Sequence, residues 1–209
     1  FSIEGYIETL LDGGIDDPEV NIKYLKRALK NTERLSEILK DLDMISSIQS
    51  DMLVLDLESI NLKEIIQEVI DSLQFLADGY NVKVDIKLGL NKLVIVEGDR
   101  HRIKQVLTNI LSNSIKYGNK GGATEIACYD MDENMLIEIT DNGIGIEKNH
   151  LPHLFERFYR VDKNRSREMG GTGLGLAIVK HIVEAHEQTI NVRSTINVGT
   201  TFGFTLKKS

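Results

Sequence analysis

Apolar positions recur along this chain with two different periods, and the change from one to the other divides it. From Phe1 to about Gln49 the spacing is helical, broken once at LDGGIDDPE (residues 11–19). There Gly13 and Gly14 predict a helix stop, Asp17 an N-cap, Pro18 a first helical position and Glu19 a charge that suits the first turn. The element is a helical hairpin. In its second helix Leu25, Ala28, Thr32, Leu35, Leu39 and Leu42 alternate in steps of three and four, and Leu29, Ile38 and Ile45 widen the stripe. The first helix offers only Ile3, Ile7, Leu10 and Leu11 in return. The hairpin therefore cannot cover its own apolar face, and a homodimeric, two-chain four-helix bundle is the economical solution. Packing against the rest of the chain is the alternative.

Beyond Gln49, where a domain boundary is predicted, strand and helix periods alternate. A short strand is expected at Met52–Leu57, then Asn61 as the cap of a helix that Gly79 stops. NVKVDIKL (81–88) and KLVIVEGD (92–99) read as strands around a Gly-Leu-Asn turn, and RHRIKQVLTNILSNSIKYG (100–118) as a strongly amphipathic helix. EIACYD and MLIEIT form a hairpin across MDEN, a polar stretch runs from Glu147 to Gly171, a helix follows over Thr172–Glu187, and TINVRS and TTFGFTLK close the chain as strands. Strands mostly joined by hairpins, with helices gathered between them, predict an α+β chain. It comprises a helical hairpin over residues 1–49 and an α/β sandwich with a mixed sheet over residues 50–209, not a doubly wound fold.

Composition narrows the function. With 41% hydrophobic and 27% charged residues the 209-residue chain is globular rather than disordered, and no run approaches a membrane span. A net charge of −7 argues against nucleic acid, whose binding works by neutralising phosphates with Lys and Arg. The single Cys128 excludes an internal disulfide and fits a reducing, cytoplasmic setting.

Two glycine clusters carry the chemistry. GGTGLGLAIVK (170–180) runs into a helix, the arrangement in which free N–H groups and the helix dipole meet an anion. It is not a dinucleotide fingerprint, because the residues before it, RVDKNRSREM, are strand-poor. Nor is it a P-loop, since Leu-Ala follows where Lys-Ser/Thr is required. In the second cluster, TDNGIGIE (140–147), Asp141 ends a strand and Gly143 and Gly145 follow at alternate positions. A carboxylate held on a strand end beside glycine-lined backbone suits an amino-group donor such as adenine N6.

The order of Asn109 and Asn113 on one helix, then DNGIGI, then LFERFYR, then GGTGLGL resembles the catalytic ATP-binding domain of sensor histidine kinases, whose N, G1, F and G2 boxes come in this order. IEGYIETLL similarly resembles the first helix of their dimerisation and phosphotransfer domain, so the likeness covers essentially the whole chain. It implies that Asn113 offers oxygen to Mg²⁺ with Asn109 in support, and that Lys116 and Tyr117 reach the phosphates. It further implies that Asp141 accepts from the adenine amino group over a wall made by Gly143 and Gly145. Phe155 and Phe158 become packing anchors, Arg160 a γ-phosphate contact, residues 162–169 the flexible part of a lid, and Gly171, Thr172, Gly173, Leu174 and Gly175 its phosphate-side hinge. Gly199 matches the family's final, structural glycine turn.

The five histidines, His101, His150, His153, His181 and His186, all fall in the second part. The resemblance places the acceptor box H-E-x-x-T-P upstream of Phe1, so the segment is expected to bind ATP without phosphorylating itself. A response-regulator receiver domain is the implied partner, and contact with a membrane would come only through a sensor region outside this segment. Two other readings compete: an ATP hydrolase of the same nucleotide fold, and a pseudokinase serving as a dimerisation module. The hydrolases carry a Glu where Asn109 stands, and an amide cannot take a proton from water at neutral pH.

Overall fold

The structure, a computed structural model, describes residues 3–49, 54–89, 93–161 and 172–209. They belong to two compact units, Phe1–Ser47 and Ile48–Ser209. In the first unit, α1 (Ile3–Thr9) runs into a widened turn at Leu10–Gly14, where Gly13 adopts φ 104° and reverses the chain. Asp17 then starts the second helix as its composition predicts: Oδ1 accepts from Glu19 N at 2.9 Å and its carbonyl from Asn21 N at 2.8 Å. Regular helix α2 occupies Asn21–Gln49. Tyr6 of α1 meets Tyr24 of α2 edge-on at 5.5 Å, and the Arg27 guanidinium lies 5.9 and 5.7 Å from the two ring centres, closing the hairpin with cation–π contacts. Most of the described apolar stripe stays uncovered. Leu25, Leu29, Leu35 and Leu39 are each about half exposed, whereas Ala28 is buried.

The second unit is a two-layer sandwich. Its strands are β1 (Glu58–Asn61), β2 (Lys83–Leu88), β3 (Ile95–Gly98), β4 (Ala123–Met131), β5 (Asn134–Asp141), β6 (Ile190–Thr195) and β7 (Gly199–Lys207). Five of them form a mixed sheet in the order β2-β4-β5-β7-β6, with β2 parallel to β4 and the other neighbours antiparallel. Helices α3 (Leu62–Tyr80), α4 (Arg100–Tyr117) and α5 (Gly175–Ala185) form the other layer, with α4 packed between α3 and α5. Period-two alternation sends Met135, Ile137 and Ile139 of β5 into the core, where they meet Phe202, Phe204 and Leu206 of β7. From α4, Ile103, Val106, Leu107, Ile110, Leu111 and Ile115 complete that core.

Several local expectations are corrected. The strand expected at Met52–Leu57 lies at Glu58–Asn61 instead: β3 supplies its pairing partner there, while Val54 is 87% exposed and in no strand. Residues 52 and 53 lie outside the described residues. Asn61 occupies the cap position of α3, but its Nδ2 donates to Glu64 Oε1 at 2.8 Å rather than its oxygen capping the helix. Gly79 does not stop α3. The left-handed residue is Asn81 (φ 54°), because Val82 N closes on Ala77 O at 3.0 Å and ends the helix two residues later. β2 and β3 do not pair with each other, since each finds its partner elsewhere, in β4 and β1. The last helix is shorter than expected, at Gly175–Ala185.

Helix α4 is held at its start by a chain of polar contacts. Asp99 caps it, Oδ1 accepting from Arg102 N at 3.0 Å and Oδ2 from Asp56 N at 3.3 Å. The Asp99 N–H donates to His186 Nε2 at 3.0 Å, and His186 Nδ1 donates to Ile182 O at 2.7 Å, so one neutral imidazole ties the end of α5 to the start of α4. Glu68 of α3 binds both Arg100 and Lys104 of α4; these contacts, the Lys104 bond foremost, hold its carboxyl below the usual range. Asp99→Ala is expected to lower unfolding free energy by about 1–2 kcal/mol, the loss typical of a side-chain cap, read as a fall in Tm.

Candidate functional site

The site begins with a register. At one end of the sheet's helix-facing surface, Thr124 of β4 stands opposite Asp141 of β5, Asp141 opposite Thr200 of β7, and Thr200 opposite Ser194 of β6. The next row inward is Ile126, Ile139, Phe202 and Val192. A polar rung across four strands therefore borders an apolar floor. Ser114 of α4 hydrogen-bonds Thr124, and Ser194 Oγ meets Thr200 Oγ1 at 2.9 Å. These hydroxyls were not singled out in the sequence, because nothing local marks residues far apart in the chain as neighbours on one rung.

Asp141 is 8% exposed. Its Oδ1 accepts from Gly143 N at 2.8 Å and from Thr200 N at 3.3 Å, and among the described residues nothing bonds Oδ2. Burial pushes its carboxyl above the ordinary carboxylate value, and the two backbone N–H groups pull the other way. The arrangement is that of an acceptor with one oxygen fixed by the protein and the other left for a ligand donor.

The loop after Asp141 is gripped on both sides. Ile144 N reaches Tyr117 O at 3.3 Å, Ile146 N reaches Ser194 Oγ at 2.8 Å, and Ile144 O accepts from Asn197 N at 2.8 Å. A Cβ on Gly143 would fall 2.4 Å from Tyr117 O; one on Gly145, whose φ is 69°, would fall 2.1 Å from Thr195 O. The alternate glycines thus bring the loop onto the protein's own backbone, a tighter demand than the ligand wall expected of them. Gly199 is structural in the same sense, since its Cβ would strike Asp141 O at 1.9 Å.

Helix α4 joins this end of the site to the glycine-rich one. Tyr117, at its end, touches the loop at Gly143, and Asn109, eight residues earlier, lies against Gly175, where a Cβ would be 3.3 Å from Asn109 Oδ1. Eight residues of helix span about 12 Å, a length that fits an extended nucleotide. Asn113 and Lys116 sit between, both half-buried. On the glycine-rich side Thr172 Oγ1 accepts from Leu174 N at 3.1 Å, and Leu174 is fully buried, leaving only its main chain for a ligand. Gly171 and residues 162–169 lie outside the described residues.

Between the two ends runs LFERFYR. Phe155 is a packing anchor as expected, edge-on to Phe202 at 6.4 Å. Phe158 is not: its side chain is 62% exposed, and it anchors through its backbone, N–H to Gly173 O at 2.8 Å with φ 62°. Arg160 follows, half-buried. Among the described residues no group of three or more His, Cys, Asp or Glu side chains converges as a metal site.

The Histidine kinase-, DNA gyrase B-, and HSP90-like ATPase family matches residues 98–209. Over 207 residues the chain is 36% identical to the sensor protein kinase WalK of Staphylococcus aureus, covering 98% of this chain and 49% of that protein. The chain belongs to the sensor histidine kinase family. It spans about half the length of that curated relative. The histidine kinase AdeS of Acinetobacter baumannii has a similar structure, with a TM-score of 0.80 at 26% identity over 98% of this chain and 92% of that one. A structure of the histidine kinase ThkA in complex with the response regulator protein TrrA is also similar, with a TM-score of 0.76 at 26% identity over 99% of this chain and 57% of that one. Of the sensor histidine kinase boxes, the structure thus describes N, G1 and F completely and G2 from Thr172 onward. Among the described residues no helix is long and apolar enough to cross a membrane.

Because the folded-state pKa of Asp141 is raised, this group's contribution to stability is greatest in acid and is lost as pH rises through the elevated value; at neutral pH its charge is a cost to the fold. Asp141→Asn keeps an oxygen for the two N–H groups but can place an amide donor where Oδ2 offers an acceptor. It is expected to weaken adenine-nucleotide binding at least about tenfold without lowering Tm at pH 7, read by titration calorimetry and thermal melting.

Proposed function

We propose that this chain is the ATP-binding catalytic core of a sensor histidine kinase, with residues 1–49 as part of its dimerisation and phosphotransfer domain and residues 50–209 as its catalytic domain. Asp141 carries the reading: a buried carboxylate with one oxygen committed to the backbone and the other unbonded, set within a row of hydroxyls between Thr124 and Thr200, is built for one amino donor on a flat ring. The adenine lies against the loop from Gly143 to Gly145. The phosphates follow α4 towards Asn109 and the segment from Gly171 to Gly175, with Lys116, Tyr117 and Arg160 supplying positive charge and hydrogen-bond donors.

Mg²⁺, a hard cation that takes oxygen ligands, would be held by the Asn113 side-chain oxygen together with nucleotide phosphates, and would neutralise charge on them. In the parent protein the imidazole nitrogen of the acceptor histidine forms a bond to the γ-phosphorus as the bond to the β,γ-bridging oxygen breaks, leaving ADP. A response-regulator aspartate then receives the phosphoryl group. Positioning and charge neutralisation, rather than covalent chemistry by this chain, carry such a step. Asn109 weighs against the hydrolase reading, since it offers no base for water. The half-exposed leucines of α2 support a homodimer, and the lone, buried Cys128, its thiol pushed up to about 12 by burial, supports a cytoplasmic setting. Contact of the parent with a membrane is assigned to a sensor region outside these residues.

Titration with ATP tests the reading directly. Binding is expected to be saturable at or below about millimolar ligand, to strengthen with Mg²⁺, and to leave ATP unhydrolysed; steady phosphate release would favour the hydrolase, and no binding the pseudokinase. Asn113→Ala is expected to remove most of the Mg²⁺-dependent gain, about tenfold, while binding in EDTA stays unchanged. Separately, Leu25→Asp with Leu29→Asp is expected to convert a dimer into a monomer in sedimentation without altering nucleotide affinity.

A further inference from the structure

Two histidines near the LFERFYR segment have no part in the site as described, yet they are arranged around one tyrosine. His150 precedes a single 3₁₀ turn, Leu151–His153, and its Nδ1 meets the Tyr159 hydroxyl at 2.6 Å. The His153 ring lies 5.5 Å from the Tyr159 ring at 35°, and its own Nδ1 is held by Glu156 Oε1 at 2.7 Å. Tyr159 is thus fixed at its hydroxyl by one imidazole and along its ring by the other. The backbone just before it is fixed as well, by the Phe158 N–H bond to Gly173 O and by the left-handed turn at Phe158.

Tyr159 is the residue before Arg160, whose Cα is about 3.8 Å away across one peptide. A long guanidinium side chain finds its target efficiently only if its base is held, because each added degree of backbone freedom dilutes the productive orientation. Phe155 on Phe202, Phe158 N–H on Gly173 O and Tyr159 N–H on Glu156 O at 3.3 Å hold the backbone of the segment, and the Tyr159 hydroxyl on His150 adds a side-chain hold at the residue before Arg160. We propose that His150 and Tyr159 form a latch that positions Arg160 for the γ-phosphate. His150 and Tyr159 are positioning residues rather than catalytic ones, and His153 is the packing wall of the latch. The inference rests on the reading of Arg160 as a γ-phosphate contact.

The test is autophosphorylation of the full-length kinase, with inhibition by ADP as the control, since ADP lacks the group that Arg160 addresses. Tyr159→Phe removes one oxygen and keeps the ring against His153; His150→Phe removes the other half of the bond. Each is expected to lower kcat/KM for ATP about tenfold while the inhibition constant for ADP and the Tm stay unchanged. His150→Asn, which returns a polar atom close to the Nδ1 position, is expected to restore most of the activity. Arg160→Ala is expected to cost at least as much, and His150→Phe added to it to cost nothing further. If Arg160→Ala lowers kcat/KM but the latch variants have no effect, or their effects multiply fully with it, the latch is overturned and the Arg160 contact stands. If Arg160→Ala itself changes nothing, the Arg160 reading fails and the latch with it. Equal loss of ATP and ADP binding in the latch variants would mark a merely structural contact and would also overturn the proposal.

Discussion

The second unit is organised around the difficulty of keeping a carboxylate on the core side of a sheet. Asp141 shares its face of β5 with Met135, Ile137 and Ile139, which are all buried. At that position an ionised group without partners would be expelled or protonated. Two backbone N–H groups, from Gly143 and Thr200, hold one of its oxygens. For Gly143 to turn back so soon, the loop must run against α4 and the β6–β7 turn with no side chain between, which is why Gly143, Gly145 and Gly199 cannot carry a Cβ without a clash. The glycines, the hydroxyl rung and the end of α4 thus all gather around one buried carboxyl, whose second oxygen stays unbonded among the described residues.

Helix α4 converts that local solution into a site of molecular length. One face supplies six core residues, and the adjacent positions place Asn109, Asn113 and Tyr117 in line. A spine shared by core and site must not slide. Its N-terminus is accordingly fixed three times over, by the Asp99 cap, by the His186 bridge from α5 and by the Glu68 pair from α3. The exposed pairs contribute little individually, and the partly buried cap and the imidazole bridge matter more.

What could be read from the chain, and what could not, follows from the range of each signal. Helix α4 was legible because its 3.6-residue period and its length are local, and the β4–β5 hairpin and the strands β6 and β7 were legible for the same reason. The four boxes carried the family because their order survives along the chain. The polar rung was not legible: Thr124, Asp141, Thr200 and Ser194 become neighbours only through strand pairing. β1 was misplaced because alternation at residues 52–57 says nothing about whether a partner strand is available, and β3 pairs with Glu58–Asn61 instead. Gly79 misled because a glycine is permitted, not required, to end a helix, and Asn81 could take the left-handed turn two residues on. Phe158 misled because its role lies in its backbone, and a hydrophobic side chain in a box is naturally read as core.

The two units differ in how they satisfy their apolar surface. The second unit buries its own: α4, β5 and β7 close a core in which Phe204, Leu107, Ile110, Leu111 and Ile137 are essentially inaccessible. The first leaves Leu25, Leu29, Leu35 and Leu39 about half exposed. Since fully burying a leucine is worth about 1.5–3 kcal/mol, covering the remainder of each would contribute about 1 kcal/mol, a gain that the proposed homodimer would realise. Every candidate nucleotide contact lies in the unit whose core is complete. The proposed nucleotide site therefore needs nothing from the first unit's apolar face, which is the surface that the proposed homodimer would cover.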